Sequence, residues 1–428
     1  MQLEAPARGT PAPGIRTNQL AIPGRVGGMR ALIFCSVQFL LAVTWTLYVA
    51  FLPQLAAQAG IARAHVAWIL LMDQVIFVAM DCALGIAADR VANAMRRLGG
   101  WILALSVVSA LAFVLLPRVT SPWLLLGLTA VWAATSSALR APPMVIIARR
   151  MQATASSFLV GSSLLGIGLA GAVAPLLTAR LREVSPLLPF IAASAALVLA
   201  VVALQWSEPA AARHDADAAP APAAGVALKR IWLLFAAVWL LALGFQVHTT
   251  VNSAPAYLRF VPAAGLVRVM PAFWIGFALC VLLPGAPVLR RYPAYVLLLA
   301  AASLGALSLF GFAAATSLEA VLAVQCLAGG LWGIMFASAA NAALDAGYVG
   351  REGMFTGLVF AVLAVAAFMR IAMVSSGAIK TAMLASLLPW LPAVAWSAGA
   401  LLLAVFVSAN LPYLSGRTHD LRQQARSG

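Results

Sequence analysis

Twelve runs of about 20 apolar residues follow one another along this 428-residue chain, at about 36 residues per run and connection. Each is long enough to cross a hydrocarbon layer roughly 30 Å thick as a helix rising about 1.5 Å per residue. Charge content agrees. Only 9% of the residues are charged and mean hydropathy is +0.99, against about 25% charged in an ordinary soluble domain. A soluble enzyme, a nucleic-acid binder and a disordered protein are excluded. The chain reads as an all-α integral membrane protein with twelve transmembrane helices.

The runs fall near 29–55, 66–90, 99–117, 122–148, 154–178, 187–206, 229–256, 269–289, 293–313, 317–344, 350–375 and 386–412. The longest polar stretch, at 207–228, is rich in Ala and Pro and reads as a flexible linker. It separates six spans over 29–206 from six over 229–412. Residues 1–28 hold Pro, Gly and Arg without an early apolar core, so they read as a disordered tail rather than a signal peptide. Residues 413–428 form a second tail.

The net charge of +15 reflects topology. With the N-terminus inside, the inner segments hold 18 Lys and Arg residues and the outer segments 7, which predicts both termini in the cytoplasm. Cys35, Cys82, Cys280 and Cys326 all lie within apolar runs, and His65, His214, His248 and His419 are scattered. Neither set has metal-site spacing, so no metal or cofactor is expected.

The halves echo one another. Spans one and seven begin about 200 residues apart and end in similar Pro-containing segments. Gly85-x-x-x-Asp89-Arg90 after span two matches Gly285-x-x-x-Leu289-Arg290 after span eight in offset. Duplicated halves point to transport through a central site. The segment Gly85 to Arg97 resembles the Gly-x-x-x-Asp-Arg signature of the major facilitator superfamily, with Asn93 and Ala94 at its usual second Gly and Arg. The resemblance covers about 29–412. It implies two pseudo-symmetric six-helix halves, with spans one, four, seven and ten lining a cavity and Gly85, Asp89 and Arg90 latching span two to span eleven. The family's arginine midway along span four is absent, that region holding Trp132 and Thr135. The antiporter motif of span five keeps Gly166, Gly168 and Gly171 but has Pro175 four residues later.

Ionisable groups within spans are costly and are therefore functional candidates. Here they are Asp73, Asp81, Arg140, His248 and Arg370. Asp81 and Arg140 sit at similar depth, and two readings stand: a static ion pair, or Asp81 as a carrier of the coupled proton. Arg140 also precedes Pro142 and Pro143, where it can snorkel inward. Asp73 and Arg370 lie near the outer ends of spans two and eleven, which the resemblance implies pack across the interface between the halves; they are expected to form a gating ion pair made when that side closes, in exchange with the Asp89 latch.

The substrate candidates are Gln38, Trp45 and Tyr48 on span one, Trp132 and Thr135 on span four, Gln246, His248 and Asn252 on span seven, and Gln325, Trp332 and Asn341 on span ten. His248 is a second candidate for the proton. Few charges line such a cavity, which favours a neutral or weakly charged organic solute, with Arg140 keeping a monoanion open. No GxxxxGK[ST] loop is present, so the sequence gives direct ATP drive no support. The expectation is a monomeric, proton-coupled secondary transporter of a bacterial inner membrane, with export slightly favoured by the Gly-rich span five. It is neither an enzyme nor a nucleic-acid binder. The rival is a non-transporting receptor or assembly partner of the same fold.

Overall fold

Inside hydrocarbon a backbone N–H or C=O finds no water, so a spanning segment closes its hydrogen bonds on itself. The computed structural model forms helices through all the apolar runs and describes residues 25–92, 98–150, 153–181, 184–206, 230–289, 291–347 and 350–427. The tail up to residue 24, the linker over 207–228 and the loop residues Asn93 to Arg97 lie outside the described residues.

Among the described residues, twelve helices are long and apolar enough to cross a membrane. In chain order these spans are Gly27–Gln58, Arg63–Arg90, Leu98–Arg118, Pro122–Ile147, Ser156–Leu181, Leu187–Trp206, Ile231–Leu258, Ala263–Gly285, Ala294–Ala314, Leu318–Ala346, Glu352–Ser375 and Leu391–Asn410. The last helix continues from Leu391 to Ser427, past residue 413 where the second tail was expected to begin.

Three spans are interrupted: span 8 turns at Met270 and Pro271 between Leu266–Val269 and Ala272–Cys280, and spans 4 and 7 break beside candidate site residues. Span 4 is α-helical over Pro122–Ser136, tightens to a 3-10 turn over Ser137–Leu139, and resumes at Ala141–Arg150. Pro142 and Pro143 fall in the first turn of the resumed helix, where the missing N–H groups have no intrahelical partner to lose. Span 7 carries a π-helical turn over His248–Asn252 between Ile231–Val247 and Ser253–Leu258. Such turns are frequent at functional sites.

The packing is two-fold. Span 1 packs on spans 5 and 6, and span 2 on span 4; span 7 packs on spans 11 and 12, and span 8 on span 10. Between the halves, span 2 lies along span 11 and span 5 along span 8. At the end that carries Asp89, one apolar cluster runs through both halves, with Phe34, Met144 and Leu164 from the first and Leu234, Phe277 and Phe336 from the second. Toward the other end it gives way to two. One holds Leu52, Phe113, Trp132 and Phe190, to which span 11 adds Ala364; the other holds Tyr257, Phe312 and Val321. The halves share one apolar core at the Asp89 end; toward the far end their apolar clusters separate, with contact kept by Ala364 of span 11 and by the outer turn of span 8, Leu266–Val269, on span 5.

Candidate functional site

The join at the Asp89 end begins with small residues. Gly85 faces Gly353, and a Cβ at either would collide with the carbonyl oxygen of the other; a Cβ at Gly357 would meet the carbonyl of Asp81. Backbones at this distance allow Asp89 to reach across. Its Oδ1 accepts the Gly353 N–H at 2.7 Å and its Oδ2 the Met354 N–H at 2.8 Å. Both donors lie in the first turn of span 11, which starts at Glu352. There the amides have no intrahelical acceptor and the helix dipole favours an anion. Arg90 is exposed beside this latch.

Two turns along span 2, Asp81 is fully buried, and Arg140 Nη1 lies 3.1 Å from its Oδ2. The break in span 4 frees the Arg140 side chain to turn back. Its Nη2 donates to Ser137 Oγ at 3.2 Å, and its guanidinium lies 3.9 Å from the centre of the Phe77 ring. A cation over an aromatic face is favourable, more so away from water. Because the Asp81 backbone touches Gly357, the ion pair sits at the seam between the halves.

Further out, aromatic rings fill the first half. Trp45 stacks on Trp132 at 6.0 Å and meets Phe77 edge-on at 5.5 Å, while Tyr48 lies 4.6 Å from Trp132. Tyr48 is buried, and its hydroxyl donates to Asp73 Oδ2 at 2.7 Å; Oδ1 of Asp73 is buried without a hydrogen-bond partner. Gln38 is likewise buried, its Nε2 donating to the Leu139 carbonyl at 2.6 Å, where span 4 breaks. Thr135 bonds the Val131 carbonyl of its own helix at 2.7 Å.

In the second half the polar groups turn inward. His248 Nε2 bonds Gln325 Oε1, Gln325 Nε2 donates to Ser253 Oγ at 2.7 Å, and Ser253 Oγ donates to the His248 carbonyl at 2.8 Å. The His248 ring is enclosed by Phe273 and Phe312. This closed set occupies the π-helical turn and belongs entirely to the second half. Asn252 donates to the Leu388 carbonyl at 2.7 Å, and Asn341 to the Ala337 carbonyl of its own helix at 2.8 Å. Trp332 is buried and stacks on Phe245 at 4.5 Å. Gln246 is half-buried.

The Asp73–Arg370 ion pair, expected across the halves when the outer side closes, is not made in the state described. No carboxylate of a described residue lies within 4.0 Å of Arg370, and the Arg370 Nε is buried without a hydrogen-bond partner. Helical geometry gives the reason. At about 100° per residue, Arg370 points roughly 140° away from Gly357, and Asp73 roughly 120° away from Gly85. Those glycines mark the seam, so the two side chains turn away from it on opposite sides.

A model of the Major Facilitator Superfamily matches residues 34–370. The chain belongs to this superfamily. Solved structures agree in fold. The human organic anion transporter MFSD10 (TETRAN) superposes with a TM-score of 0.68 at 14% identity, covering 88% of this chain and 99% of that one. The E. coli fucose:proton symporter FucP gives 0.66 at 15% identity, covering 89% and 99%. FucP in its outward conformation gives 0.61 at 14% identity over the same shares. No curated protein sequence matches the chain.

Within this superfamily fold, four residues that the sequence reading left out complete the seam. Gly353 and Gly357 were legible as a Gly-x-x-x-Gly pair opening an apolar helix, a pattern that brings membrane helices close. Phe77 was legible as the residue one turn before Asp81 on the same face. Ser137 gave no signal, because its role depends on the break in span 4.

Proposed function

We propose that this protein is a secondary active transporter that carries a small organic solute across a bacterial inner membrane by alternating access. The observation that carries the proposal is the asymmetry of the join between the halves. They share a core and a latch at the Asp89 end, while toward the far end their apolar clusters separate and only Ala364 and the span 5–span 8 contact still join them, an arrangement suited to one of two alternating states. The excess of Lys and Arg on the Asp89 side supports placing that side and both termini in the cytoplasm. The state described is then latched on the cytoplasmic side.

Protons are the proposed drive, with Asp81 as the carrier. It is a buried carboxylate whose only counter-ion among the described residues comes from span 4, and its backbone lies against span 11. Neutralising it releases Arg140 at the seam, so occupancy by a proton biases how the halves meet. His248 is enclosed within one half and takes no part in this reading. Export is favoured over uptake by the Gly-rich face of span 5. The partly exposed groups Trp45 and Gln246 remain candidates to touch the solute, and the protein acts as a monomer.

The test is flux in proteoliposomes with an imposed pH gradient. A panel of solutes is screened for movement that the gradient accelerates and a protonophore abolishes. D81N is expected to retain exchange of solute for solute while losing acceleration by the gradient. Solute movement that ignores the gradient in the wild-type protein would refute proton drive. Absence of movement for every solute would favour a receptor or assembly role instead.

A further inference from the structure

Four charged side chains lie deep within the spans, and three are out of reach of a solute or already paired. Asp81 is paired with Arg140; Asp73 has no counter-ion among the described residues but is fully buried in the first half, with one oxygen held by the Tyr48 hydroxyl. Arg370 is the fourth. It is half-buried, its Nε finds no hydrogen-bond partner, and no described carboxylate reaches it. An uncompensated charge inside a membrane span is costly and rarely kept without a use.

The direction of this side chain can be read from its own helix. Phe355 stacks on Phe235 and so marks the bearing of span 7; Phe360 meets Phe336 and marks the bearing of span 10. At about 100° per residue, Arg370 lies roughly 60° from the first bearing and 80° from the second, between the two. Leu363 shares that sector and lines a small apolar gap with Leu241, Trp332 and Phe336. Arg370 therefore points into the wedge between spans 7 and 10, two turns beyond that gap and toward the divided end. It faces neither span 2 nor the lipid.

We infer that Arg370 anchors the anionic group of the substrate, and that the substrate is a small organic monoanion bearing a carboxylate. The inference rests on the transporter reading above and supplies its substrate class. One uncompensated positive charge calls for one negative charge. The planar guanidinium fork matches a carboxylate through two parallel hydrogen bonds. Phe245 and Trp332, stacked on each other about two turns deeper, give the wedge an apolar floor that suits an apolar body attached to that carboxylate.

The test uses phenylacetate, its neutral amide phenylacetamide and the cation phenethylammonium, with the purified full-length protein at pH 8. Thermal stabilisation gives affinity and counterflow in proteoliposomes gives movement. Phenylacetate is expected to stabilise the wild-type protein, with affinity falling at least tenfold in R370Q and partly retained in R370K. Without ligand, R370Q should melt at or above the wild-type midpoint, since it removes an uncompensated charge; a merely structural arginine would give the opposite. The inference is overturned if phenylacetate does not bind, if R370Q binds it as well as the wild type, or if the amide or the cation binds as tightly. Failure of the transporter reading has a different signature, in which phenylacetate binds through Arg370 and no probe crosses the membrane. If instead the amide or the cation is moved equally by wild type and R370Q, the transporter reading stands and this inference falls.

Discussion

Spans 2 and 11 meet along one seam, and its two ends are built differently. At the Asp89 end the contact is backbone against backbone at Gly85, Gly353 and Gly357, and both carboxylate oxygens of Asp89 are held by amides of the facing helix. At the other end the polar side chains turn away: Asp73 toward Tyr48 in the first half, Arg370 toward the wedge of the second. One end carries a polar lock assembled by small residues. Among the described residues the other end shows no such lock between spans 2 and 11, which under the proposed function leaves closure there to a solute that bridges the wedge and the first half.

The harshest way to break this contrast is to fill the seam. Gly353→Val puts a branched side chain where the Gly85 carbonyl already lies. Overpacking costs about 1–3 kcal/mol when side chains can shift, and here the obstacle is backbone. We expect destabilisation at or above about 3 kcal/mol, with transport lost and a cysteine at Thr356, buried at this end, becoming reactive to a membrane-impermeant maleimide. A Gly353→Val protein with wild-type melting and flux would mean that the helices do not meet this closely.

The ion pair comes next. Removing one partner of a buried pair costs about 3–5 kcal/mol because the other charge is stranded. Asp81→Asn and Arg140→Gln should each lower the melting midpoint, and the double variant should lose clearly less than the sum of the two. Additive losses would show that the two side chains do not depend on each other.

Much of this was legible before any coordinates, for physical reasons that also mark the limit. Apolar runs of spanning length gave the twelve helices, and the depth of a residue follows from counting along a span. That count set Asp81 level with Arg140, which lie 3.1 Å apart. It also set Asp73 level with Arg370, which do not meet. Depth is one coordinate, and direction around the helix is the other. Direction needs a fixed reference such as the Gly85–Gly353 contact, and a single chain read alone does not say which small residues touch. The same gap hid the enclosure of His248, since a polar cluster on span 7 looks alike whether it faces the other half or its own. The Tyr48–Asp73 bond was missed because both residues had been assigned separate tasks.

A subtler change tests the lock without filling the seam. Asp89→Asn removes the charge facing the start of span 11 and leaves one carbonyl oxygen for two amide donors. Loss of one hydrogen bond and of the dipole interaction is worth about 1–2 kcal/mol together, or roughly a tenfold shift in the opening equilibrium at the middle of that range. Maleimide labelling of a cysteine at the buried Thr356 position should rise by about that factor while the melting midpoint moves little. Labelling that stays at the wild-type rate would show that the glycine contact alone holds this end.

The smallest expected effect sharpens the assignment of the solute site. Thr135 lies beside the aromatic rings on span 4, yet its hydroxyl donates to the carbonyl of Val131 one turn back. A threonine that bonds its own helix offers little to a solute, and valine has nearly the same shape. Thr135→Val should therefore change stability by less than about 0.5 kcal/mol and leave solute flux within twofold of wild type. A loss of flux well beyond that, at unchanged stability, would mean that the hydroxyl leaves its helix to meet the solute. The first half would then contribute a hydrogen bond as well as an aromatic wall, and recognition would be shared across the divided end rather than resting on Arg370.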